Sequence, residues 1–304
     1  MSGIGFLSLL TLLLQTPSAL AVIYGADNRH EAPTNETSRA IGMILNASIE
    51  HEDTYPAPFP LADGLRFLTH VEVAPHDLRG FIDQPRVGDC TSFLVGSDLM
   101  MTAGHCIQSA EECRNTQVVF DFFKPDITEK YVTIPSSSIY RCTELVSQNF
   151  SASDSQPNDY AIFRLDRPVQ GRTPLSLSNA PIASLVNHPV STLGFPRGVF
   201  MKAADHGQVL ALDSGAVSFR TNLDTFSGNS GSPIFDDTTG KVIGILISGS
   251  WDDNGQTVDG HYSQVDVAYS EFPKPGDRQI TQIDPLLGEQ AFFIGNVLKE
   301  LHGH

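Results

Sequence analysis

The chain has 304 residues, 40% of them hydrophobic, with 25 glycines, enough for one large or two smaller globular units with their own cores. Its 19 Lys and Arg against 35 Asp and Glu leave a net charge of −16. That balance excludes the basic surface that a nucleic acid or an anionic membrane would require of a partner.

The first element is the apolar run Ile4 to Leu14 in "MSGIGFLSLLTLLLQTPSALA", followed by a polar break and Ala19-Leu20-Ala21. Small residues at the first and third places of that triplet suit signal peptidase, although no Lys or Arg precedes Arg29. The run is too short to span a bilayer, and no later stretch is long and apolar enough. Residues 1–21 therefore read as a signal peptide, Val22 as the first mature residue, and the protein as secreted. Four cysteines agree with an oxidising compartment. They allow three pairings. Cys90 and Cys106 flank one apolar hairpin-like stretch, which leaves Cys113 and Cys142 for each other. No Cys-x-x-Cys spacing occurs, so no metal and no cofactor are expected. Asn35, Asn46 and Asn149 sit in N-x-[ST] sequons.

Residues 22–66 are polar and punctuated by proline, and read as a surface wrap. Short apolar runs separated by turn signals follow. "TSFLVGSDLMMTA" is a run, a Gly-Ser-Asp turn and a second run. "YAIFRL", "HPVSTLGFP" and "VLALDSGAVSFRTN" read as further strands, the last with Val217 and Phe219 on one face beyond a Ser-Gly turn. "KVIGILISGSW" is a continuous apolar run of the kind a buried strand shows. In "EQAFFIGNVLKELHG", Phe293, Val297 and Leu301 recur every four residues, which predicts a C-terminal helix stopped at Gly303. Many short strands and one terminal helix predict an all-β sandwich or barrel pair.

Three stretches carry chemistry. "MTAGHC" puts His105 after a strand and beside Cys106, where a cross-link to Cys90 would fix its loop. "NDYAIFRL" puts Asp159 at the mouth of a strand, whereas its rival Asp154 lies in a polar Ser-rich loop. "TFSGNSGSPIF" puts Ser230 in a glycine loop. A serine hydroxyl is a poor nucleophile until a base takes its proton. Histidine titrates near neutrality and can take and return it, and an aspartate holds the imidazole in the right tautomer. Gly228 lets the loop turn so that its own N–H and that of Ser230 face one oxyanion hole.

"CTSFLVGSDLMMTAGHC", "NDYAIFRL" and "GNSGSPIF" together resemble the three active-site blocks of the chymotrypsin-like serine proteases, most closely the secreted bacterial branch that includes the glutamyl endopeptidases. The likeness runs from Val22, where "VIYGADNRH" resembles the mature start of that branch, to about Val267; residues 43–85 and 270–288 look like local additions. It implies an all-β fold of two six-stranded Greek-key β-barrels with the active site between them and a C-terminal helix. Residues 22–168 would hold an N-terminal segment and the first barrel, and residues 169–304 the second barrel and the helix. It implies a secreted monomeric endopeptidase acting on protein or peptide substrates through His105, Asp159 and Ser230. Two other readings share these features: a non-catalytic member of the fold used for binding or adhesion, and an esterase acting on small acyl groups. The intact set of triad residue types argues against the first.

Asn229 precedes the nucleophile where trypsin-like zymogens carry an aspartate, so trypsin's activation ion pair is not expected. By resemblance to the glutamyl branch, the amine of Val22 would help bind substrate. Asp224, six residues before Ser230, stands where trypsin selects cationic side chains; the pair Asp224-Thr225 also resembles the glutamyl branch. Leu246 or Ile247 occupies the place of that branch's substrate-binding histidine. Ile247, Ser248 and Gly249 are expected to line the cleft along an extended substrate. Basic, acidic and apolar preferences stay open. "WDDNGQTVDG" lacks the spacing of a calcium loop and reads as a solvated turn.

Overall fold

The computed structural model describes residues 23–24, 27–46, 59–61, 64–68, 84, 87–125, 131–151, 158–213, 215–249, 253–258, 262–265, 267–269 and 288–301. The signal-peptide and Val22 expectations, Asp154, Gly303 and the two residues at each end of "WDDNGQTVDG" lie outside them. The middle of that stretch, Asp253–Val258, is not a turn but a strand paired with Tyr262–Val265.

Short apolar runs become strands because each has neighbours on both sides to complete its hydrogen bonding. Ile41–Asn46, Cys90–Leu94, Leu99–Thr102, Thr116–Val119, Ile139–Phe150 and Asp159–Leu165 close into an antiparallel barrel. Pro189–Gly194, Lys202–Leu212, Ser218–Thr221, Pro233–Asp236, Lys241–Ser248 and Glu289–Phe293 close into a second. With the strands of each barrel numbered one to six along the chain, both close in the same cyclic order: five, six, three, two, one, four. Full closure removes exposed strand edges. Ile41, Met43, Phe93, Met101, Val118 and Phe163 fill the first core; Val190, Val209, Phe219, Ile234, Ile243 and Ala291 fill the second. The two disulfides are Cys90–Cys106 and Cys113–Cys142, both within the first half of the chain.

Three further expectations need correction. The described residues between 23 and 46 are not a surface wrap. Ile41–Asn46 is a strand of the first barrel, with Ile41, Met43 and Ile44 fully buried, and "AIGMIL" is apolar enough to demand it. Arg29–Glu31 pairs with Lys202–Ala204 and extends the second barrel's sheet. The additions expected over 43–85 therefore begin only after this barrel strand. Within them, Phe59–Leu61 and Gly64–Leu68 form a separate three-stranded sheet with Tyr131–Pro135.

The C-terminal helix is also shorter than its periodicity predicts. Glu289–Phe293 is a buried strand between Ser218–Thr221 and Lys241–Ser248, and helix occupies only Leu298–Leu301 after a tight turn at Ile294–Asn296. A slot with a ladder on both sides outweighs a four-residue apolar spacing. The helix ties back to the first barrel, where Glu300 accepts hydrogen bonds from the hydroxyls of Tyr160, at 2.7 Å, and Ser147.

Candidate active site

The strand Leu99–Thr102 ends at Ala103, and the chain turns tightly through Gly104–Cys106. The turn has no room for a side chain at Gly104. A Cβ there would meet the backbone of Tyr160 at 2.8 Å, so the turn lies flat on the start of the strand that carries Asp159. Asp159 is buried, and its two oxygens divide the work. Oδ1 accepts from the His105 backbone N–H at 2.9 Å, and Oδ2 lies 2.8 Å from His105 Nδ1. With a carboxylate against Nδ1, that nitrogen is the donor, and the lone pair of Nε2 is left as the basic site. The Cys90–Cys106 bridge anchors the turn one residue past the imidazole. Phe150, 41% exposed, stands against the other side of the ring with centroids 5.9 Å apart.

Ser230 comes from the second barrel, and the first barrel holds its loop. Thr91 N–H donates to Ser230 O at 2.8 Å, and Thr91 Oγ1 donates to Gly228 O at 2.9 Å while accepting from Phe195 N–H at 3.1 Å. Thr102 Oγ1 in turn donates to Thr91 O at 2.7 Å. The sulfur of Cys106 lies 3.8 Å from Ser230 O, so the residue after the histidine touches the residue that carries the nucleophile. Gly228 has φ +96°, and a Cβ there would sit 2.5 Å from Phe195 O, so no other residue fits this turn unstrained. The loop's amides fall into two groups. Those of Asn229, Gly231 and Ser232 bond to Phe226 O, Leu246 O and Asn229 O. Among the described residues, those of Gly228 and Ser230 have no backbone acceptor, which leaves them for an anion. The side chain of Asn229 is buried and packs close against Gly194.

A cleft of about 170 Å³ opens beside Ser230. Thr225, Phe226 and Ser227 form one wall, Leu246, Ser248 and Gly249 the other, and Glu289 closes it. Of the residues expected to meet substrate, Thr225, Ser248 and Gly249 line this cleft. Ile247 packs into the hydrophobic core and does not line it. Asp224 does not line it either. Its Oδ1 accepts from Tyr24 N–H and its Oδ2 from Asn28 N–H, both at 2.8 Å, and burial pushes the carboxyl up to about 6. It anchors the N-terminal segment from below the pocket, where Ile23 packs on Phe226 and the Arg29 guanidinium lies 4.1 Å from the Phe226 ring centroid.

Phe226, Ser227 and Glu289 line the cleft without having been expected to, and Glu289 is the one that carries charge. The signal was present: an acid and an amide head an otherwise apolar run in "EQAFF". Cys90, His105 and Cys106 cluster as metal ligands do, but both sulfurs are spent on each other and offer no thiolate.

The trypsin-like peptidase domain family matches residues 90–245, just over half of the chain and a span that contains His105, Asp159 and Ser230. No curated protein matches the chain by sequence. Among solved structures, the VesB protease of Vibrio cholerae is 16% identical with a TM-score of 0.52, covering 90% of this chain and 66% of its own. The secreted serine protease VesC of the same organism is 14% identical with a TM-score of 0.50, covering 90% of this chain and 47% of its own. A Glu endopeptidase is 16% identical over 75% of this chain and 88% of its own, with a TM-score of 0.46. At these identities the likeness establishes the fold, and the family match goes further: the chain belongs to the trypsin-like peptidases and is a chymotrypsin-like serine protease.

Proposed function

We propose that the protein is a secreted endopeptidase that cleaves peptide bonds through an acyl-enzyme formed on Ser230. The observation that carries the reading is the pairing of His105 Nδ1 with Asp159 at 2.8 Å, on a turn that is cross-linked to the strand at Cys90 and whose Cys106 sulfur lies 3.8 Å from Ser230 O. His105 Nε2 takes the proton of Ser230 Oγ as that oxygen attacks the scissile carbonyl. The amides of Gly228 and Ser230 receive the oxyanion. The imidazolium, stabilised by Asp159, gives its proton to the leaving amine, and water then releases the acyl group by the same route in reverse. The cleft beside Ser230, lined by Ser248 and Gly249, would receive a segment of extended polypeptide, and internal cleavage is what the test below reads. Two disulfides support an oxidising, extracellular location.

The test uses the purified protein beside Ser230→Ala, with an unfolded protein as substrate. A fluorophosphonate should label Ser230 in the native chain alone, and mass spectrometry should find internal cuts that vanish in the variant. Labelling with hydrolysis of small esters and no peptide cleavage would replace this reading by an esterase. Absence of both labelling and cleavage would replace it by a binding protein on the same fold.

A further inference from the structure

The structure assigns Ser248 a part in choosing the substrate: its hydroxyl is held as an acceptor on the cleft wall and takes an N–H from a substrate side chain; this rests on the peptidase reading of Ser230. Ser248 lines the cleft beside Ser230 and is exposed there. Behind it a chain of hydrogen bonds crosses three adjacent strands of the second barrel, Lys241–Ser248, Glu289–Phe293 and Ser218–Thr221. Ser248 Oγ donates to Gln290 Oε1 at 3.0 Å. Gln290 Nε2 donates to Asp213 Oδ2 at 2.7 Å and to Ser218 Oγ at 3.1 Å. Ser218 Oγ donates to the same Asp213 oxygen at 2.5 Å, and Arg220 Nε donates to Asp213 Oδ1 at 3.0 Å. Gln290 and Ser218 are both buried.

The far end of this chain sets the direction of every bond in it. Burial works against the charge of Asp213, but the hydrogen bonds from Ser218, Gln290 and Arg220, with the Arg220 charge, hold its carboxyl below the usual value. At neutral pH it is an ionised acceptor with no hydrogen to give. An amide oxygen cannot face it, so Gln290 turns its nitrogen there. Both N–H groups of that nitrogen are then spent, on Asp213 and on Ser218, and the amide oxygen is left for Ser248. Ser248 must therefore give its one hydrogen to Gln290. What remains on its oxygen is lone pairs, and among the described residues nothing donates to them. A free serine would rotate its hydrogen to suit either a donor or an acceptor; Asp213 removes that freedom. The cleft beside the attacking oxygen takes the side chain next to the attacked carbonyl. A carboxamide, ammonium or guanidinium there finds an acceptor at Ser248. An ester or carboxylate sets lone pairs against lone pairs, and an apolar side chain displaces the water that would donate.

The experiment reads binding without turnover, as a ratio between two neutral ligands of the same shape. Ser230→Ala is titrated by calorimetry with a short alanine peptide that carries either one glutamine or one glutamic acid γ-methyl ester, which lacks the N–H. The glutamine peptide should bind about 10-fold tighter, the size of one hydrogen bond whose partner would otherwise go unpaired. Adding Ser248→Ala should bring the ratio close to one, and Ser248→Thr, which keeps the hydroxyl, should restore it. Adding Asp213→Asn instead lets Gln290 turn over and Ser248 donate, so the ratio should also narrow; a change confined to packing would move both affinities together and leave the ratio alone. Melting curves check that each variant folds. A ratio near one in Ser230→Ala, no saturable binding of the glutamine peptide, or an unchanged ratio after Ser248→Ala would each overturn the assignment. An unchanged ratio in a folded Asp213→Asn variant would refute the relay that fixes the hydroxyl. A preference for glutamine that depends on Ser248, with no fluorophosphonate labelling of Ser230 in the native chain, would remove the peptidase reading and leave the acceptor role of Ser248 standing.

Discussion

Replacing Asp224 by Asn tests whether one buried carboxyl shapes the pH dependence of folding. Burial raises its folded-state value from 3.8 to about 6, against the pull of the Asn28 and Tyr24 amides. The unfolded chain loses this proton near 3.8, so at intermediate pH the native state holds a proton that the unfolded state has released. The stability that this group contributes is complete below 3.8 and is lost as pH rises through about 6. The gap between the two values corresponds to about 3 kcal/mol, at 1.36 kcal/mol for each tenfold. Asparagine cannot ionise, so it lacks this dependence. It also leaves one of the two amides without an acceptor, which costs about 1–3 kcal/mol at every pH. The variant should therefore melt below the parent at about pH 4 and recover most or all of the deficit by about pH 7.5. At about 2 °C per kcal/mol for a chain of this size, the gap in melting temperature should close by about 6 °C. Calorimetry at a series of pH values, with both proteins carrying Ser230→Ala to prevent self-cleavage, measures it. A gap that stays constant or widens between about pH 4 and about pH 7.5 would refute the reasoning.

Asp159→Asn should lower kcat by about 10⁴ with KM nearly unchanged, because an amide facing His105 Nδ1 favours the wrong tautomer; steady-state kinetics on a peptide substrate checks this, and a loss confined to KM would contradict it. The two disulfides should separate in their effects. Removing Cys113–Cys142, which spans 29 residues, should cost about 3–4 kcal/mol of stability and leave kcat near its parent value. Removing Cys90–Cys106, which spans 16, should cost about 3 kcal/mol and also lower kcat, since that bridge holds the His105 turn against Ser230. Denaturant melts and kinetics on the two double-alanine variants compare them, and equal activity in both would show that the bridge does not position the histidine.

The strands were legible where local pattern is sufficient. "TSFLVGSDLMMTA" pairs Phe93 with Met101 across its turn, and "KVIGILIS" is buried from Val242 to Ile247. The disulfides were legible because spacing and a hairpin between Cys90 and Cys106 leave one partner for Cys113. His105 and Ser230 each sit in a tight glycine-bearing turn, and Asp159 opens the strand Asp159–Leu165, so all three fall where local pattern marks a boundary. Glycine at 104 and 228 answers a close backbone approach that no side chain survives.

What the chain could not state locally is where a side chain turns once distant strands meet. Asp224 and Glu289 are both acids near apolar runs, and nothing in their neighbourhoods says which will line the cleft. The difference comes from the N-terminal segment. Tyr24 lies 200 residues from Asp224 and 265 from Glu289; its backbone N–H binds the first and its hydroxyl the second. The C-terminal stretch went the same way: the four-residue spacing of Phe293, Val297 and Leu301 suits a helix, and the gap between Ser218–Thr221 and Lys241–Ser248 holds Glu289–Phe293 as a strand. The sequence by itself determined the local turns, the buried runs and the residue types available for catalysis. Tertiary structure decided which acid enters the pocket, because hydrogen-bond donors brought from far along the chain commit one carboxylate to structure and hold the other at the cleft.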